Sequence, residues 1–182
     1  VHRSDRETSG ILVCARTNET RSLISNHFRI GSIQKMYLAV TKSIKELPDY
    51  FKVSAPIGIP EKSLIRLKLW TGGINPQNSL TLFKKLASYN NTHLLACVPK
   101  TGRTNQIRIH LASRGHWIVG DKMYYEDENI FIEFYEKGYT ENVHKHVLFP
   151  RHMLHNTGIF LPEINNEPII CPLPHDLMEF PD

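Results

Sequence analysis

The first ten residues constrain the chain most, because they place one carboxylate between two arginines on a polar loop. Arg3, Asp5 and Arg6 lie in a segment that also carries several hydroxyl groups and ends at Gly10. The apolar run 11–15 follows at once, and its β-forming residues predict a buried strand. Such a strand can hold a reactive loop in place, and two nearby guanidinium groups would favour the ionised carboxylate. A solvated turn with a weak surface ion pair is the alternative interpretation.

The composition indicates one globular domain with a mild preference for anionic partners. The 182 residues suffice for a sizeable core, and 22 Lys and Arg against 18 Asp and Glu give a net charge of +4. Three widely spaced cysteines without a CxxC pair favour a reducing compartment. We expect an intracellular, cytoplasmic protein, with the nucleus or an organelle as alternatives. No apolar run approaches the roughly 18 residues of a membrane span, so we expect none.

Periodicity and turn residues predict short strands with few helices, and therefore an α+β fold. A helix is predicted from Asn18, as its N-cap, to about residue 33, with Gly31 as a stop signal. The segment 79–86 fits either a strand or a short helix. The other predicted elements are strands at 35–41, 64–70, 93–98 and 158–161 and a helix at 126–137.

The segment 101–111 is the second informative stretch, because it places an arginine on a predicted helix. Thr101 or Thr104 can cap this helix, which is predicted to run to about Arg114. Helical spacing puts Arg108 on a face of small residues, where an anionic group has room to approach. A basic helix end on the protein surface is the alternative interpretation.

Three segments, in this order and spacing, resemble signatures of the RluA-type RNA pseudouridine synthases. The segment 2–10, HRSDRETSG, is similar to the family's HRLDxxTSG, and 35–40, KMYLAV, is similar to its KxYxAxV strand. The segment 101–121 is similar to the family's TGRxHQIRxHLxxxGHPIxGD block. Three positions depart from the usual residues: Ser4 for Leu, Asn105 for His and Trp117 for Pro.

The resemblance implies the family's catalytic core, a bent, mixed and mostly antiparallel sheet with flanking helices around a central cleft. This core would form one domain over residues 1–182. The chain starts without Met in the middle of a signature, so we expect it to lack an N-terminal part of that domain.

The resemblance also implies roles for individual residues. Asp5 matches the catalytic aspartate, Tyr37 the active-site tyrosine, and Arg108 the arginine that pairs with the aspartate. Arg3 matches a position that in relatives can insert into RNA beside the extruded nucleotide. Further candidates for RNA binding in the matching segments are Thr8, Arg103, Gln106 and His110.

The implied reaction is isomerisation of specific uridines in RNA, such as tRNA or rRNA, to pseudouridine. It needs no redox change and no energy input, so neither a cofactor nor a metal is expected, and we expect a monomer with RNA as its partner. Basic residues elsewhere are candidates for phosphate contacts. They include Arg66, Lys68, Lys84, Lys85 and Lys100.

Two other functions are compatible with parts of the sequence. A catalytically inactive RNA-binding fragment would keep the basic cleft without turnover. A metal hydrolase could use a histidine-rich segment, since a His-x-His pair with further histidines can bind zinc, although no acidic partner is suitably placed. The histidines in question are His144, His146, His152 and His155.

Overall fold

The structure is a computed structural model that describes residues 3–162 and 164–178. His2, the first residue of the HRSDRETSG segment, lies outside this range. In the described part of the chain, no helix has the length and apolar character needed to cross a membrane. In chain order the elements are β1 (Ser9–Gly10), α1 (Asn18–Ile30), β2 (Gln34–Ser43), β3 (Tyr50–Ser54), β4 (Ile57–Ile59), β5 (Trp70–Thr71), β6 (Ile74–Gln77), β7 (Leu80–Tyr89), β8 (Thr92–Pro99), α2 (Gln106–Ala112), β9 (His116–Ile118), α3 (Glu128–Lys137), α4 (Glu141–Val147), β10 (Leu154–Phe160), β11 (Ile169–Ile170) and α5 (His175–Met178).

One large sheet organises the fold, with strand order β1-β10-β2-β8-β7-β3. β11 extends it beside β10, and β9 pairs with β2. The β1–β10 pair is parallel and the other pairs in this sheet are antiparallel. A second sheet contains β4, β5 and β6. The predicted α+β class with a mixed, mostly antiparallel sheet is confirmed.

Helix α2 is buried because it lies between the two sheets. Ile107 and Leu111, four residues apart, join the largest core cluster together with Leu95 of the large sheet. Ile109 packs on another side with Ile57 of the small sheet. Full burial of one such aliphatic side chain contributes about 1.5–3 kcal/mol, so packing fixes this seven-residue helix where propensity alone would not.

Two predicted strands, 11–15 and 64–70, are wrong. The segment 11–15 is not a strand, although Ile11 and Val13 do pack in the cluster around α1. The segment 64–70 contains turns instead, and only Trp70 begins a strand. There the carboxylate of Glu128 accepts the Leu64 N–H at 2.6 Å, in the place that a neighbouring strand would take.

The helix ends show which local sequence signals were sufficient to predict a helix boundary. Gly31 ends α1 in the left-handed conformation, as predicted (φ 74°). The N-cap is Thr17 rather than Asn18, because the Thr17 hydroxyl accepts the Thr20 N–H at 3.2 Å. Helix α2 begins later than predicted, after Asn105, and neither predicted threonine caps it. The undecided segment 79–86 is mostly strand β7, the predicted helix at 126–137 is α3, and α4 was not predicted.

Gly10 allows β1 to approach β10 closely, and its replacement tests this contact. Its φ is +106°, and a Cβ here would overlap the backbone carbonyl of Asn156. We expect Gly10→Ala to lower the free energy of unfolding by about 2 kcal/mol or more, measured by urea denaturation. Gly31→Ala is the control, because that Cβ would meet open space and adds only left-handed strain of about 1 kcal/mol. Equal losses in the two variants would contradict the close approach.

Candidate active site

A cleft of about 880 Å³ lies where the aspartate loop, α1, β2 and the segment leading into α2 meet. Asp5, Tyr37 and Arg108 all line it, although they are far apart in the sequence. The predicted central cleft is therefore present, and it brings together the three residues to which the resemblance assigned catalytic roles.

Arg108 binds two carboxylates at once. Its Nε and Nη2 donate to the two carboxylate oxygens of Asp121 at 2.7 and 2.8 Å. Its Nη1 donates to Oδ2 of Asp5 at 3.1 Å. Asp121 is buried at 1% exposure, whereas the Asp5 side chain keeps 26% of its surface exposed. The buried Asp121 thus fixes the guanidinium, and the guanidinium in turn holds Asp5 at the cleft.

The pKa values of this pair reflect mutual charge stabilisation. Burial by itself would lower the pKa of Arg108, but the negative charge of Asp121 and its hydrogen bonds raise it, with a further contribution from Asp5. Burial would raise the pKa of Asp121, but the Arg108 charge and hydrogen bonds outweigh it and hold that pKa below its usual value. Both groups therefore stay charged across the neutral range.

Asn105 and Tyr124 complete the support of the guanidinium. The Asn105 Oδ1 accepts a hydrogen bond from Arg108 Nη1 at 3.1 Å, and its Nδ2 donates to the Tyr124 hydroxyl at 3.0 Å. The Tyr124 ring lies 4.8 Å from the guanidinium carbon, within range of a cation–π contact. Asn105 has φ +55°, a left-handed conformation that asparagine tolerates better than most residues.

A second buried ion pair anchors the loop that carries Asp5. Lys122 Nζ lies 2.8 Å from Oε1 of Glu7 and donates to the Pro150 carbonyl at 2.6 Å. The His152 backbone N–H donates to Glu7 at 3.1 Å, and the His152 ring lies 2.7 Å from the Thr8 hydroxyl. The loop is therefore tied, through Glu7 and Thr8, to the segment after β9 and to the segment before β10.

His152 is a neutral member of this network. Burial, followed by the positive charge of Arg108, lowers its pKa to about 3. Its Nδ1 lies 3.5 Å from the Glu7 carboxylate. A proton on Nδ1 would face that carboxylate, which leaves Nε2 to accept the hydrogen bond from the Thr8 hydroxyl.

Tyr37 lies on strand β2 in the interior of the large sheet. Its backbone lies opposite Cys97 of β8 and Asn156 of β10. Burial, followed by the negative charge of Asp5, raises the pKa of Tyr37 to about 12. The phenol is therefore protonated at neutral pH and is a hydrogen-bond donor beside the carboxylate.

The structure places the five candidate RNA-binding residues in two different settings. Arg3 and Arg103 are exposed on the lining of the cleft. Thr8 also lines the cleft, but its hydroxyl contacts His152.

Gln106 and His110 bond to strand β7 and to the residue before it, although Gln106 also lines the cleft. The Gln106 amide donates to the Leu80 carbonyl at 3.0 Å and to the Thr81 hydroxyl at 2.9 Å. His110 is fully buried, and its two ring nitrogens lie 2.9 Å from the Thr81 hydroxyl and 2.8 Å from the Ser79 hydroxyl. Their polar atoms therefore bond to strand β7 and to the residue before it. RNA contact by these two residues stays a prediction.

Sequence reasoning did not single out Asp121, Lys122 or Glu7. A signal for Asp121 was available, because one carboxylate directly follows the apolar turn 116–120 and has to find a buried partner. Glu7 and Lys122 carried no such signal, since each looks like an ordinary surface charge until the fold brings them together.

The four histidines proposed for a metal site are not gathered by the fold. Within residues 3–162 and 164–178, no group of three or more His, Cys, Asp or Glu side chains is placed to hold a metal ion. His155 contacts the Ser9 hydroxyl at 2.9 Å, and His144 contacts the Tyr139 hydroxyl at 3.0 Å. The metal-hydrolase interpretation has no support in this arrangement.

Comparison with known proteins relates the chain to enzymes that modify RNA. A sequence profile described as RNA pseudouridylate synthase matches residues 1–113. The chain is 31% identical over 180 residues to ribosomal large subunit pseudouridine synthase C of Buchnera aphidicola from Acyrthosiphon pisum, a match that spans 97% of this chain and 53% of that protein. It is 30% identical over 183 residues to ribosomal large subunit pseudouridine synthase D of Xylella fastidiosa, spanning 98% of this chain and 52% of that protein.

A solved structure gives the same relationship in three dimensions. Human RNA pseudouridylate synthase domain containing 4 superposes with a TM-score of 0.74 at 25% sequence identity, over 97% of this chain and 72% of that one. The chain spans about half the length of the two bacterial relatives, 53% and 52%.

Replacing Asp121 tests the buried pair. At neutral pH we expect Asp121→Asn to lower the free energy of unfolding by about 3–5 kcal/mol, because Arg108 loses its bidentate partner. The matched control is Asp49→Asn, which removes an exposed partner of Lys85 and should change stability by less than about 1 kcal/mol. Urea denaturation measures both.

The stability difference between wild type and Asp121→Asn should depend on pH in one direction. The pKa of Asp121 is lower in the folded protein than in the unfolded chain, where it is about 3.9. Its contribution is therefore fully present above about pH 4 and is lost as the pH falls through the folded pKa. The gap between wild type and Asp121→Asn should narrow only in that acidic range. A gap that narrows between pH 5 and 7 would contradict this assignment.

Proposed function

This chain belongs to the RluA-type RNA pseudouridine synthase family, and we propose that it isomerises uridine in RNA to pseudouridine with Asp5 as the catalytic carboxylate. The observation that carries the proposal is the Asp5–Arg108 pair at 3.1 Å in an open cleft. Tyr37 lines the same cleft, so an acidic group, a basic group and an aromatic ring face one space.

The reaction requires a carboxylate more than any other group. The C1′–N1 glycosidic bond of uridine breaks, the base turns, and C1′ bonds to C5, after which the C5 proton leaves and N1 gains a proton. A carboxylate can act as nucleophile or base toward the sugar during these steps. Asp5 lines the cleft with its side chain partly exposed, and Arg108 holds its orientation through Oδ2.

Tyr37 suits the later steps of the same reaction. Its ring offers a surface on which a uracil can stack, and its hydroxyl can serve as a relay near the C5 proton. Because its pKa is raised to about 12, the hydroxyl is a donor at the start of the reaction and not a base.

The cleft also offers charge for an RNA backbone. Exposed cations on its lining are Arg3, Arg29, Lys100 and Arg103. A uridine has to leave its stack to reach Asp5, at an expense of a few kcal/mol that phosphate contacts can offset. We therefore include base flipping in the proposal, with a structured RNA as substrate. Ribosomal RNA is the first one to test, because the bacterial relatives carry that substrate in their names.

Tritium release tests the reaction and the carboxylate together. Forming the C1′–C5 bond expels the hydrogen at C5, so RNA labelled there should release tritium to water with wild-type protein. We expect Asp5→Asn to reduce release by at least about a thousandfold, because the amide can act neither as nucleophile nor as base. Asp49→Asn is the matched control on an exposed loop and should keep full activity. RNA binding without release by wild type would support the alternative, a catalytically inactive RNA-binding protein.

Removing one oxygen separates the two functions assigned to Tyr37. Tyr37→Phe keeps the ring and loses the hydroxyl, so we expect kcat to fall by about 10²- to 10⁴-fold with little change in KM. Tyr89→Phe, on an exposed residue at the end of β7, should leave both constants unchanged. A Tyr37→Phe variant with normal kcat would rule out the relay and leave only stacking.

A further inference from the structure

Lys35 lies on the same wall of the cleft as Tyr37. It precedes Tyr37 by two residues on β2, and alternate residues of a strand face the same side of a sheet. Both side chains line the cleft. Their Cα atoms are separated by about 7 Å, the rise of two residues in an extended strand.

The ammonium group of Lys35 lies near Phe28 of α1 and Gly102 of the loop before α2. Its Nζ is 5.7 Å from the centre of the Phe28 ring on α1. It also lies near Gly102, since a Cβ added there would be 3.6 Å from Nζ, an ordinary contact distance. The lysine thus reaches from β2 towards α1 and the loop before α2, along the lining of the cleft.

Lys35 lacks the carboxylate partner that three other buried or half-buried lysines have. Lys68 pairs with Glu128, Lys85 with Asp49, and Lys122 with Glu7. Among the residues that the structure describes, no Asp or Glu lies within ion-pair distance of Lys35, and burial lowers its pKa. A partly desolvated cation without a counterion is unfavourable, which suggests that its anion arrives from outside the chain.

We propose that Lys35 binds a backbone phosphate of the nucleotide whose base enters the cleft beside Tyr37. The proposal rests on the proposed function, since it takes the cleft to be the uridine site. A nucleotide that stacks its base on Tyr37 would place its own phosphodiester a short distance along β2, within reach of Lys35. Lysine binds phosphate as a point charge, and Lys35 lies on the lining of the open cleft.

This role gives Lys35→Met two effects of opposite direction. Methionine keeps most of the side-chain length and removes the charge, so RNA affinity should fall on the order of tenfold. The melting temperature should stay equal to wild type or rise, because the desolvated charge is gone. A purely structural lysine would instead lower the melting temperature when replaced.

Salt dependence separates one phosphate contact from a general loss of affinity. Affinity for tritiated ribosomal RNA would be measured by filter binding over a range of salt, in an Asp5→Asn background that prevents turnover. Lys35→Met should reduce the slope of log affinity against log salt by about 0.7–0.9, the value for one lost phosphate contact. Lys35→Arg should retain the slope, and Lys62→Met, on an exposed loop outside the cleft lining, should match the parent.

The outcomes distinguish this inference from the proposed function. An unchanged slope and affinity in Lys35→Met would overturn the phosphate contact, and so would a loss of affinity accompanied by a lower melting temperature. If wild type releases tritium in that case, the proposed function stands alone. If wild type binds RNA without releasing tritium and Lys35→Met still shows the smaller slope and unimpaired folding, the phosphate contact stands and the catalytic proposal fails.

Discussion

The bidentate pair between Arg108 and Asp121 is the interaction on which the site depends. Two buried charges are favourable only when their hydrogen bonds are nearly complete, and here the remaining Asp121 bonds come from the backbone N–H groups of Met123 and Tyr124. That arrangement uses Nε and Nη2 of the guanidinium and leaves Nη1 directed at Asp5. The orientation of the cleft carboxylate therefore follows from a pair that itself has almost no exposure.

The loop that carries Asp5 is fixed by a different set of forces. Its own sequence supplies only polar and charged side chains, which have no apolar core to pack into and could not order a segment of this kind in water. Order comes from contacts with distant parts of the chain, chiefly Glu7 with Lys122 and Thr8 with His152. Because His152 stays neutral, this support does not depend on its protonation in the neutral range.

How much of this could be predicted depended on whether the signal was local. Gly31 ends its helix by a property of glycine alone, and β2 follows from its own alternation, so both were predicted. The apolar run 11–15 did report burial, since Ile11 and Val13 pack around α1, but burial alone does not make a strand. At 64–70 the alternation misled, because Leu67 is exposed and the Leu64 N–H donates to Glu128, far along the chain. Motif resemblance brought Asp5, Tyr37 and Arg108 together. It could not supply Glu7 and Lys122, whose pairing exists only in the folded chain.

The cations of the described chain differ in whether a carboxylate partner or water stabilises their charge, and this difference separates structural cations from those that can bind RNA. Arg108, Lys68 and Lys122 are buried and each has a carboxylate, so their charges stabilise the fold. The exposed cleft arginines carry charge that water can solvate, and such groups attract a polyanion without fixing its position. Lys35 belongs to neither class, since it is partly desolvated and has no anion in the described chain. The partly desolvated ammonium of Lys35 has a higher free energy in the free protein than in a complex with an anion. This free-energy difference can contribute to holding a nucleotide in one register beside Asp5.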